Sequence, residues 1–285
     1  MIVQPLVSVL MTAYNRELYI AEAIESVLAS TLTDFELIVV NDCTTDNTVE
    51  IVMKFEYKED RVKVYLNDKN LGDYANRNKA ASYASGKYIK YFDSDDIMYP
   101  HCLQVMVTGM EKFPQAGYGL SATGHGNFPL PVCISPEETY LENYGLYDHF
   151  LRAPGSAIIK RSVFEAVGGF NETIQSLGDM DMWMRLAQKY PLVKLQFAIY
   201  FAREHQQSES TLAKDRFLFY HQTKLVLKYL YAPECPVNRD VIKQIVNKLA
   251  FVRLKIILRN MAAFNFSKAA KNFKVYRLYK SFKGS

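Results

Sequence analysis

The sequence has few cysteines, and they are widely separated. Only four occur in 285 residues, Cys43, Cys102, Cys133 and Cys235, and no two of them form a Cys-x-x-Cys pair. Zinc sites and disulfide frameworks need cysteines at short, repeated spacings, so neither is predicted. This cysteine usage fits a reducing cytosol.

Long apolar runs are also missing. The apolar run Leu6 to Ala13 is too short to span a bilayer, and the N-terminus lacks the basic region that opens a secretion signal. Internal repeats and low-complexity segments are absent from the sequence as well. We therefore expect a cytoplasmic protein with no secretion signal and no transmembrane helix.

Acidic residues are scarce in the last quarter of the chain. Residues 214–285 hold sixteen Lys and Arg against three acids, whereas residues 1–213 hold eighteen against twenty-seven. The tail is therefore strongly basic and the body acidic. Such a split indicates a basic surface that binds a polyanion, either an anionic membrane or nucleic acid, attached to a domain with a different function.

The first hundred residues alternate β-branched runs with segments of helical periodicity. Strands are predicted at Val7–Met11, Phe35–Val40, Val62–Leu66 and Lys87–Phe92, and helices at Glu17–Ser30, Asp46–Tyr57 and Tyr74–Ser85. This alternation predicts an α/β fold, a mostly parallel sheet with helices on both faces. Such sheets bind ligands at the carboxyl ends of their strands.

From Pro100 to about Ala202 the pattern loosens. A helix is predicted over Asp179–Lys189 and a strand over Leu192–Phe201. Beyond Lys214 three helical segments follow. The middle segment is predicted to present one apolar face, formed by Val241, Ile245, Leu249, Val252 and Ile256.

Acidic residues follow two of the predicted strands at the edge where a ligand is expected. Asp42 comes just after the second strand, and Asp93, Asp95 and Asp96 come just after the fourth. Carboxylates gathered at one strand end repel each other unless a cation neutralises them. Oxygen ligands of this kind favour Mg²⁺ or Mn²⁺, which would in turn hold a diphosphate. The structural alternative is that Asp95 and Asp96 cap a helix that begins near Pro100.

Taken in order, the motifs of residues 4 to 210 resemble those of the family 2 inverting glycosyltransferases, which have the GT-A fold. The matching segments are Val7–Asn15, Phe35–Asp42, Asn47-Thr48, Asn70-Leu-Gly72, Ala75–Asn78, Asp93–Asp96, Val167–Asn171, Gly178-Asp179 and Arg203-Glu-His205. One such motif would be weak evidence, but the ordered set is specific. The resemblance implies an enzyme of bacterial surface-polysaccharide assembly.

The resemblance also implies a domain division and substrates. Residues 1–99 would bind the nucleotide sugar, residues 100–213 the acceptor, and residues 214–285 would form a basic helical extension. The donor would be a nucleoside diphosphate sugar, with uridine diphosphate as the favoured carrier and Mn²⁺ or Mg²⁺ as cofactor. The acceptor would be a saccharide or a lipid-linked saccharide.

Roles for individual residues follow from the same resemblance. Those expected to bind the nucleotide part of the donor are Thr12, Tyr14, Asp42, Arg77, Asp93, Asp95 and Arg203. Within this set, Asp42 would accept a hydrogen bond from the base and Asp95 would bind the ribose. Asp96 and His205 would bind the metal, with His205 and Arg203 closing over the diphosphate.

Asp179 would be the catalytic base. It would take the proton from the attacking hydroxyl, and a single displacement would invert the anomeric configuration. The family often has Glu-Asp where this chain has Gly178-Asp179, and Asp-Asp where it has Asn41-Asp42. The first departure removes a carboxylate beside the base.

Several residues also have purely structural interpretations. Asp179 could be the N-cap of the helix that bears Trp183, and Arg77 could be a solvated helix residue. His205 would ordinarily be a surface histidine. Trp183 is predicted to be a core residue rather than a sugar-stacking platform.

Three other functions are weighed against glycosyl transfer. A sugar-1-phosphate nucleotidyltransferase would carry a Gly-rich phosphate loop after the first strand, where this chain has Thr12-Ala-Tyr-Asn15. A glycosidase needs paired carboxylates but no nucleotide-binding sheet. A non-enzymatic, basic-tailed nucleic-acid-binding module conflicts with the acidic body, so no nucleic-acid partner is expected.

The basic tail suggests either membrane docking or self-association. We expect the tail to bring the enzyme to the anionic inner face of the cell membrane, with a homodimerisation arm as the alternative. In the last segment, Phe266, Ala269, Ala270 and Phe273 are predicted to share one apolar face. The lysines recur every three residues and so drift around the helix, which favours electrostatic docking over insertion.

Overall fold

Four parallel strands open the fold. The computed structural model describes residues 4–121, 129–144, 149–174, 176–195, 199–205 and 218–282. The elements of the first part are β1 (Val7–Ala13), α1 (Ile20–Leu28), β2 (Phe35–Asn41), α2 (Thr48–Lys58), β3 (Val62–Leu66), α3 (Asp73–Ser82) and β4 (Tyr88–Tyr91). Every element predicted in the first hundred residues is therefore confirmed. Helix α2 begins at Thr48 rather than Asp46, because the Asp46 carboxylate accepts the backbone N–H of Thr48 instead of entering the helix.

Shorter elements make up the second part. They are β5 (Ile97–Met98), α4 (Cys102–Lys112), β6 (Tyr118–Ser121), β7 (Val132–Ile134), α5 (Pro136–Asn143), β8 (Ala157–Lys160), α6 (Arg161–Ala166), α7 (Gly178–Lys189), β9 (Leu192–Leu195) and β10 (Tyr200–Phe201). Two 3-10 turns, His149–Leu151 and Pro154–Ser156, come before β8.

Eight strands form one mixed sheet in the order β3-β2-β1-β4-β8-β6-β9-β7. Strands β3, β2, β1 and β4 are mutually parallel, as are β6 and β9. The antiparallel pairings are those of β8 with β4 and β6, and of β7 with β9. The predicted α/β fold with a mostly parallel sheet is confirmed. The division at residue 99 falls within this sheet and stays a prediction, and the division at residue 213 lies outside the described residues.

Side chains of the central strands alternate between two cores. In β2, Leu37 and Val39 pack on one face of the sheet with Ile24 of α1, whereas Ile38 and Val40 pack on the other with Trp183 of α7. A parallel sheet covered on both faces needs apolar residues at successive positions, which explains the continuous run in β2. Trp183 is fully buried, so its prediction as a core residue is confirmed.

The single strand predicted over Leu192–Phe201 is wrong. Strand β9 ends at Leu195 in the large sheet, and β10 pairs antiparallel with β5 in a separate two-stranded sheet. Residues 196–198 between them lie outside the described residues. The sequence is apolar on both sides of the break, so its pattern could not reveal that the chain changes sheets.

Three helices follow, as predicted: α8 (Leu218–Tyr231), α9 (Arg239–Ala262) and α10 (Phe266–Ser281). Helices α9 and α10 pack against each other, and Arg253 donates to the Asn272 side chain across them at 2.7 Å. Each helix in the described part of the chain is too short or too polar to cross a bilayer.

The apolar faces predicted for α9 and α10 are only partly correct. In α9, Ile245 is buried, but Val252 and Ile256 are exposed by 48% and 36%. The helix meets the protein core near its start and α10 along its later turns, so the buried stripe shifts to include Ile242 and Ile257.

In α10 the predicted apolar face is likewise divided. Ala269 is buried, whereas Phe266 and Phe273 are exposed by 61% and 51%. The small Ala269 and Val275 fill the contact side of the helix instead. The two phenylalanines are therefore left on its outer side.

Asp181 joins the C-terminal helices to α7. This fully buried carboxylate accepts from the Tyr229 hydroxyl of α8 at 2.6 Å and from Nε of Arg185 at 2.7 Å. Leu225, Leu227 and Leu230 of the same helix enter the core beside α7. A buried charge with two strong donors fixes the orientation of α8.

We expect Tyr229→Phe to lower the free energy of unfolding by about 1–3 kcal/mol, because it removes a hydrogen bond to a buried charge. Urea unfolding followed by circular dichroism measures this change. Tyr220→Phe removes a hydroxyl from the less buried side of α8 and is the control. An equal effect of the two substitutions would contradict the anchoring role of Asp181.

Candidate active site

The carboxyl ends of β1, β2 and β4 gather the predicted site residues at one edge of the sheet. Thr12 lies at the end of β1, and Asp42 directly follows β2. Tyr14 projects from this edge with 47% exposure. The loops after β1 and β2 are held together by Asn15, whose side-chain oxygen accepts from the Thr44 hydroxyl at 2.8 Å.

Asp42 organises the loop that leads into α3. Its carboxylate accepts from the backbone N–H groups of Leu71 at 2.8 Å and Gly72 at 3.0 Å, and from the Asn67 side chain at 2.9 Å. Gly72 has a φ of 83°, which a side chain would disfavour. Asp42 therefore shapes this corner of the site, and its contact with a base stays a prediction.

The three carboxylates after β4 have different partners. Asp93 pairs with Arg77 at 2.9 Å, and Asp95 pairs with Arg16 at 3.1 Å and with His205 at 3.0 Å. The interpretation of Asp95 and Asp96 as helix caps is wrong, because α4 begins at Cys102 with His101 as its N-cap and no side-chain cap bond.

The segment after β10 closes against this cluster. The backbone N–H of Arg203 donates to Asp96 at 3.0 Å, and its guanidinium donates to the Asp95 carbonyl at 3.0 Å. The rings of His205 and Tyr19 stack with centroids 4.6 Å apart. The fold therefore brings together the Asp-x-Asp-Asp and Arg-x-His segments, as the family resemblance implies, although Asp96 and Arg203 are 107 residues apart in the sequence.

Asp96 is the carboxylate of the cluster best suited to a divalent cation. Burial, reinforced by the negative charge of Asp93, raises the pKa of Asp96 to about 7, although the Arg203 N–H opposes the shift. A cation beside Asp96 would offset this penalty.

The carboxylates at this position fit a cation that is bound jointly by the protein and by substrate phosphates. Across the described ranges, no three His, Cys, Asp or Glu side chains converge on one point. Mg²⁺ and Mn²⁺ held jointly with phosphates need only one or two protein carboxylates, which Asp96 and its neighbours can supply. His205 reaches toward Asp95 through Nε2, and its role as a metal ligand stays a prediction.

Asp179 lies in the first turn of α7 with one oxygen unsatisfied. The N-cap position belongs to Leu177, with no side-chain cap bond, so the interpretation of Asp179 as an N-cap is wrong. Its Oδ1 atom is buried and has no hydrogen-bond partner among the described residues. Burial raises the pKa of Asp179 to about 7, against the opposing charge of Arg77 and with support from Asp73 and Asp93.

Tyr74 explains why a glycine precedes Asp179. A Cβ atom on Gly178 would lie 2.5 Å from the Tyr74 ring, so this ring fills the space that a side chain at 178 would occupy. The Tyr74 hydroxyl accepts from the Asp179 N–H at 3.3 Å and lowers the pKa of its carboxylate. The ring also stacks on Phe170 with centroids 5.4 Å apart.

Arg77 is buried rather than solvated, so the surface interpretation is wrong. Its guanidinium donates to Asp73 at 2.7 Å and to Asp93 at 2.9 Å. Burial opposes its charge, but Asp73, Asp93 and Asp179 together raise the pKa of Arg77 well above its ordinary value. Its Nη1 atom, like Asp179 Oδ1, is buried without a partner in the described part of the chain.

Sequence reasoning missed three residues of this site: Arg16, Tyr74 and Lys90. Lys90 is fully buried in β4 and donates to the carbonyls of Tyr91 and Gly155. Burial lowers the pKa of Lys90, although the nearby Asp93 and Asp96 oppose the shift. A lysine between apolar neighbours in a strand was a visible signal, whereas Arg16 and Tyr74 carry no pattern of their own.

Known proteins are similar to this chain in sequence and in fold. The glycosyl transferase family 2 domain matches residues 8–168. The putative glycosyltransferase EpsE of Bacillus subtilis is 29% identical over 79% of this chain and 81% of its own length. The Escherichia coli UDP-Glc:alpha-D-GlcNAc-diphosphoundecaprenol beta-1,3-glucosyltransferase WfgD is 39% identical, over 38% of this chain and 42% of its own length.

A solved structure shares the fold at low identity. The crystal structure of S. aureus TarS 1-349 in complex with UDP-GlcNAc superposes with a TM-score of 0.68 and 18% identity, over 96% of this chain and 91% of that one. The family domain covers more than half of this chain, including β1 to β4 and the acidic cluster. The chain belongs to glycosyl transferase family 2 and has the GT-A fold.

Proposed function

We propose that this glycosyltransferase works by inversion, moving a sugar from a nucleoside diphosphate to an acceptor hydroxyl with Asp179 as the base. The observation that carries the proposal is the buried, unpaired Oδ1 of Asp179, together with the buried, unpaired Nη1 of Arg77, whose charge acts on the Asp179 carboxylate. Buried polar atoms are normally hydrogen-bonded, so we propose that sugar hydroxyls supply the missing partners. The pKa of Asp179, about 7, suits a general base near neutral pH.

The cationic side chains around Asp95 would stabilise the leaving diphosphate. Arg16, Arg203 and His205 all contact Asp95. The negatively charged diphosphate of the sugar nucleotide could bind these three side chains in place of Asp95. Preorganised charges aimed at a developing anion are a strong source of catalysis. A Mn²⁺ or Mg²⁺ ion at Asp96, when bound, would neutralise part of the same charge.

We propose a uridine diphosphate sugar as donor, with Thr12, Tyr14 and Asp42 facing the nucleotide. The names of two similar proteins, WfgD and TarS, mention UDP-linked sugars. We propose a saccharide or lipid-linked saccharide as acceptor, reached from the cytoplasmic side of the membrane. The diphosphoundecaprenol named for WfgD supports a lipid-linked acceptor.

We expect Asp179→Asn to reduce transfer by about a hundredfold or more while donor affinity is kept, because the amide cannot accept the proton. Single-turnover transfer and calorimetric titration of the nucleotide measure the two quantities. Asp68→Asn, at an exposed position, is the matched control. Near-wild-type transfer by Asp179→Asn would place the base elsewhere.

We expect kcat/KM to fall as the pH drops through about 7, since Asp179 must be deprotonated to act as a base. Tyr74→Phe removes a group that lowers the pKa of Asp179, so it should move this acidic limb to higher pH. The charges facing Asp179 are Arg77, Asp73 and Asp93, and none is altered by the substitution. A pH-rate profile tests the shift, and an unmoved limb would exclude Asp179 as its origin.

We expect Asp96→Asn to abolish most of the gain in UDP affinity that Mn²⁺ provides, because the amide loses the charge that attracts the cation. Titration of UDP with Mn²⁺ and with EDTA measures the gain. Asp34→Asn, on the loop before β2, is the control. Equal metal-dependent binding by wild type and Asp96→Asn would remove Asp96 from the metal site.

A further inference from the structure

The turn between α9 and α10 holds a bulky residue in an unfavourable backbone conformation. Phe264 has a φ of 54°, in the left-handed region that large side chains rarely adopt. The turn is fixed on both sides: Phe264 N–H donates to the Met261 carbonyl at 3.0 Å, and Asn265 accepts from the Lys268 N–H at 3.2 Å. A strained residue at an exposed turn suggests a function for its side chain.

Apolar side chains cover the end of this helical hairpin. Phe264 is exposed by 82% and Phe266 by 61%, and their rings lie 6.3 Å apart. Leu258 and Met261, on the last turns of α9, are exposed by 58% and 49%. We call these four residues the aromatic tip. Exposed apolar groups gathered at one end of a structure are typical of an interaction surface.

Cations flank the aromatic tip on both helices. Lys255 and Arg259 lie on the last turns of α9, and Lys268 and Lys271 lie on the first turns of α10, all exposed. Residues 239–282 contain eleven Lys and Arg and one acidic residue, Asp240. An apolar tip with a basic surround matches the interface of an anionic bilayer, where lipid phosphates lie just above the acyl chains.

We propose that the aromatic tip of the α9–α10 hairpin inserts into an anionic membrane surface. The tip enters the boundary between headgroups and acyl chains, and the flanking cations bind the lipid phosphates. This differs from the expectation from the sequence, in which electrostatic docking dominates over insertion. The sequence did not reveal this apolar tip, because the periodicity of the two helices does not show which apolar side chains remain exposed.

A second copy of the chain fits this surface less well. An isologous contact through the tip would bring two sets of like charges together, which is unfavourable. The bilayer provides the opposite charge and an apolar interior at once.

Insertion would also set the position of the catalytic domain. Helix α8 is bonded to α7 through Tyr229 and Asp181, and Tyr231 at its end contacts Phe282 after α10. The hairpin is thus connected to the helix that carries Asp179. Given the proposed lipid-linked acceptor, this connection would place the base at a defined distance from the membrane.

Vesicle sedimentation of the full chain tests insertion. We expect binding to vesicles of phosphatidylcholine with phosphatidylglycerol and much weaker binding to phosphatidylcholine alone. The double variant Phe264→Ser/Phe266→Ser should lower the partition coefficient about tenfold at 0.15 M salt, where charge attraction acts only within about 8 Å and apolar insertion contributes a larger share of binding. Tyr57→Ser removes an aromatic ring that is 92% exposed on α2 and is the matched control.

Three further measurements separate the alternatives. Brominated lipids should quench the fluorescence of Phe264→Trp, since quenching requires contact with acyl chains. Light scattering reports whether the tip variant changes oligomeric state, and UDP titration reports whether its nucleotide site is intact. The proposal would be overturned by unchanged vesicle binding of the tip variant, by the absence of quenching, or by a tip variant that loses dimerisation instead of membrane binding. UDP binding tests the donor site separately.

Discussion

Mutual repulsion among carboxylates at one edge of the sheet is the constraint on which the site depends. Asp93, Asp95 and Asp96 follow a single strand within four residues, and Asp73 and Asp179 approach from α3 and α7. Guanidinium groups from three separate parts of the chain offset this repulsion. Arg77 serves Asp73 and Asp93, whereas Arg16 and Arg203 serve Asp95.

The negative charges of these carboxylates are not neutralised equally. Asp93 and Asp95 are matched by cations in direct contact, but Asp96 and Asp179 are not, and burial raises the pKa of each to about 7. A carboxylate left in this condition either attracts a cation or takes up a proton. The two choices correspond to the metal ligand and the base of the proposed reaction.

Much of this arrangement could be predicted from the sequence, and the limits have physical causes. The strand ends located Asp42 and Asp96 at one edge, because parallel strands carry their carboxyl ends to the same side. Asp179 and His205 were expected at this site only from the family resemblance. Tyr74 could not be found in this way. Its importance comes from a contact across 105 residues with the Asp179 N–H, which no local pattern records.

The C-terminal helices show the same limit in another form. Helical periodicity gave their number correctly but misplaced the buried side of α9, because the helix has two different neighbours along its length. The buried side of α9 changes along the helix when its packing partner changes, so Val252 and Ile256 are left exposed. Periodicity reports that a helix has an apolar side but not which partner covers it.

Two carboxylates of α7 illustrate how the catalytic domain and the extension are joined. Asp179 and Asp181 are two positions apart, so their side chains leave the helix about 200° apart. Asp179 has a buried oxygen without a partner among the described residues, whereas each oxygen of Asp181 accepts a hydrogen bond, one from Arg185 and one from Tyr229. Because both sit on one rigid turn, any force that holds α8 in place also holds the orientation of Asp179. In the described part of the chain, the Tyr229–Asp181 hydrogen bond thus ties the C-terminal helices to the helix that carries Asp179.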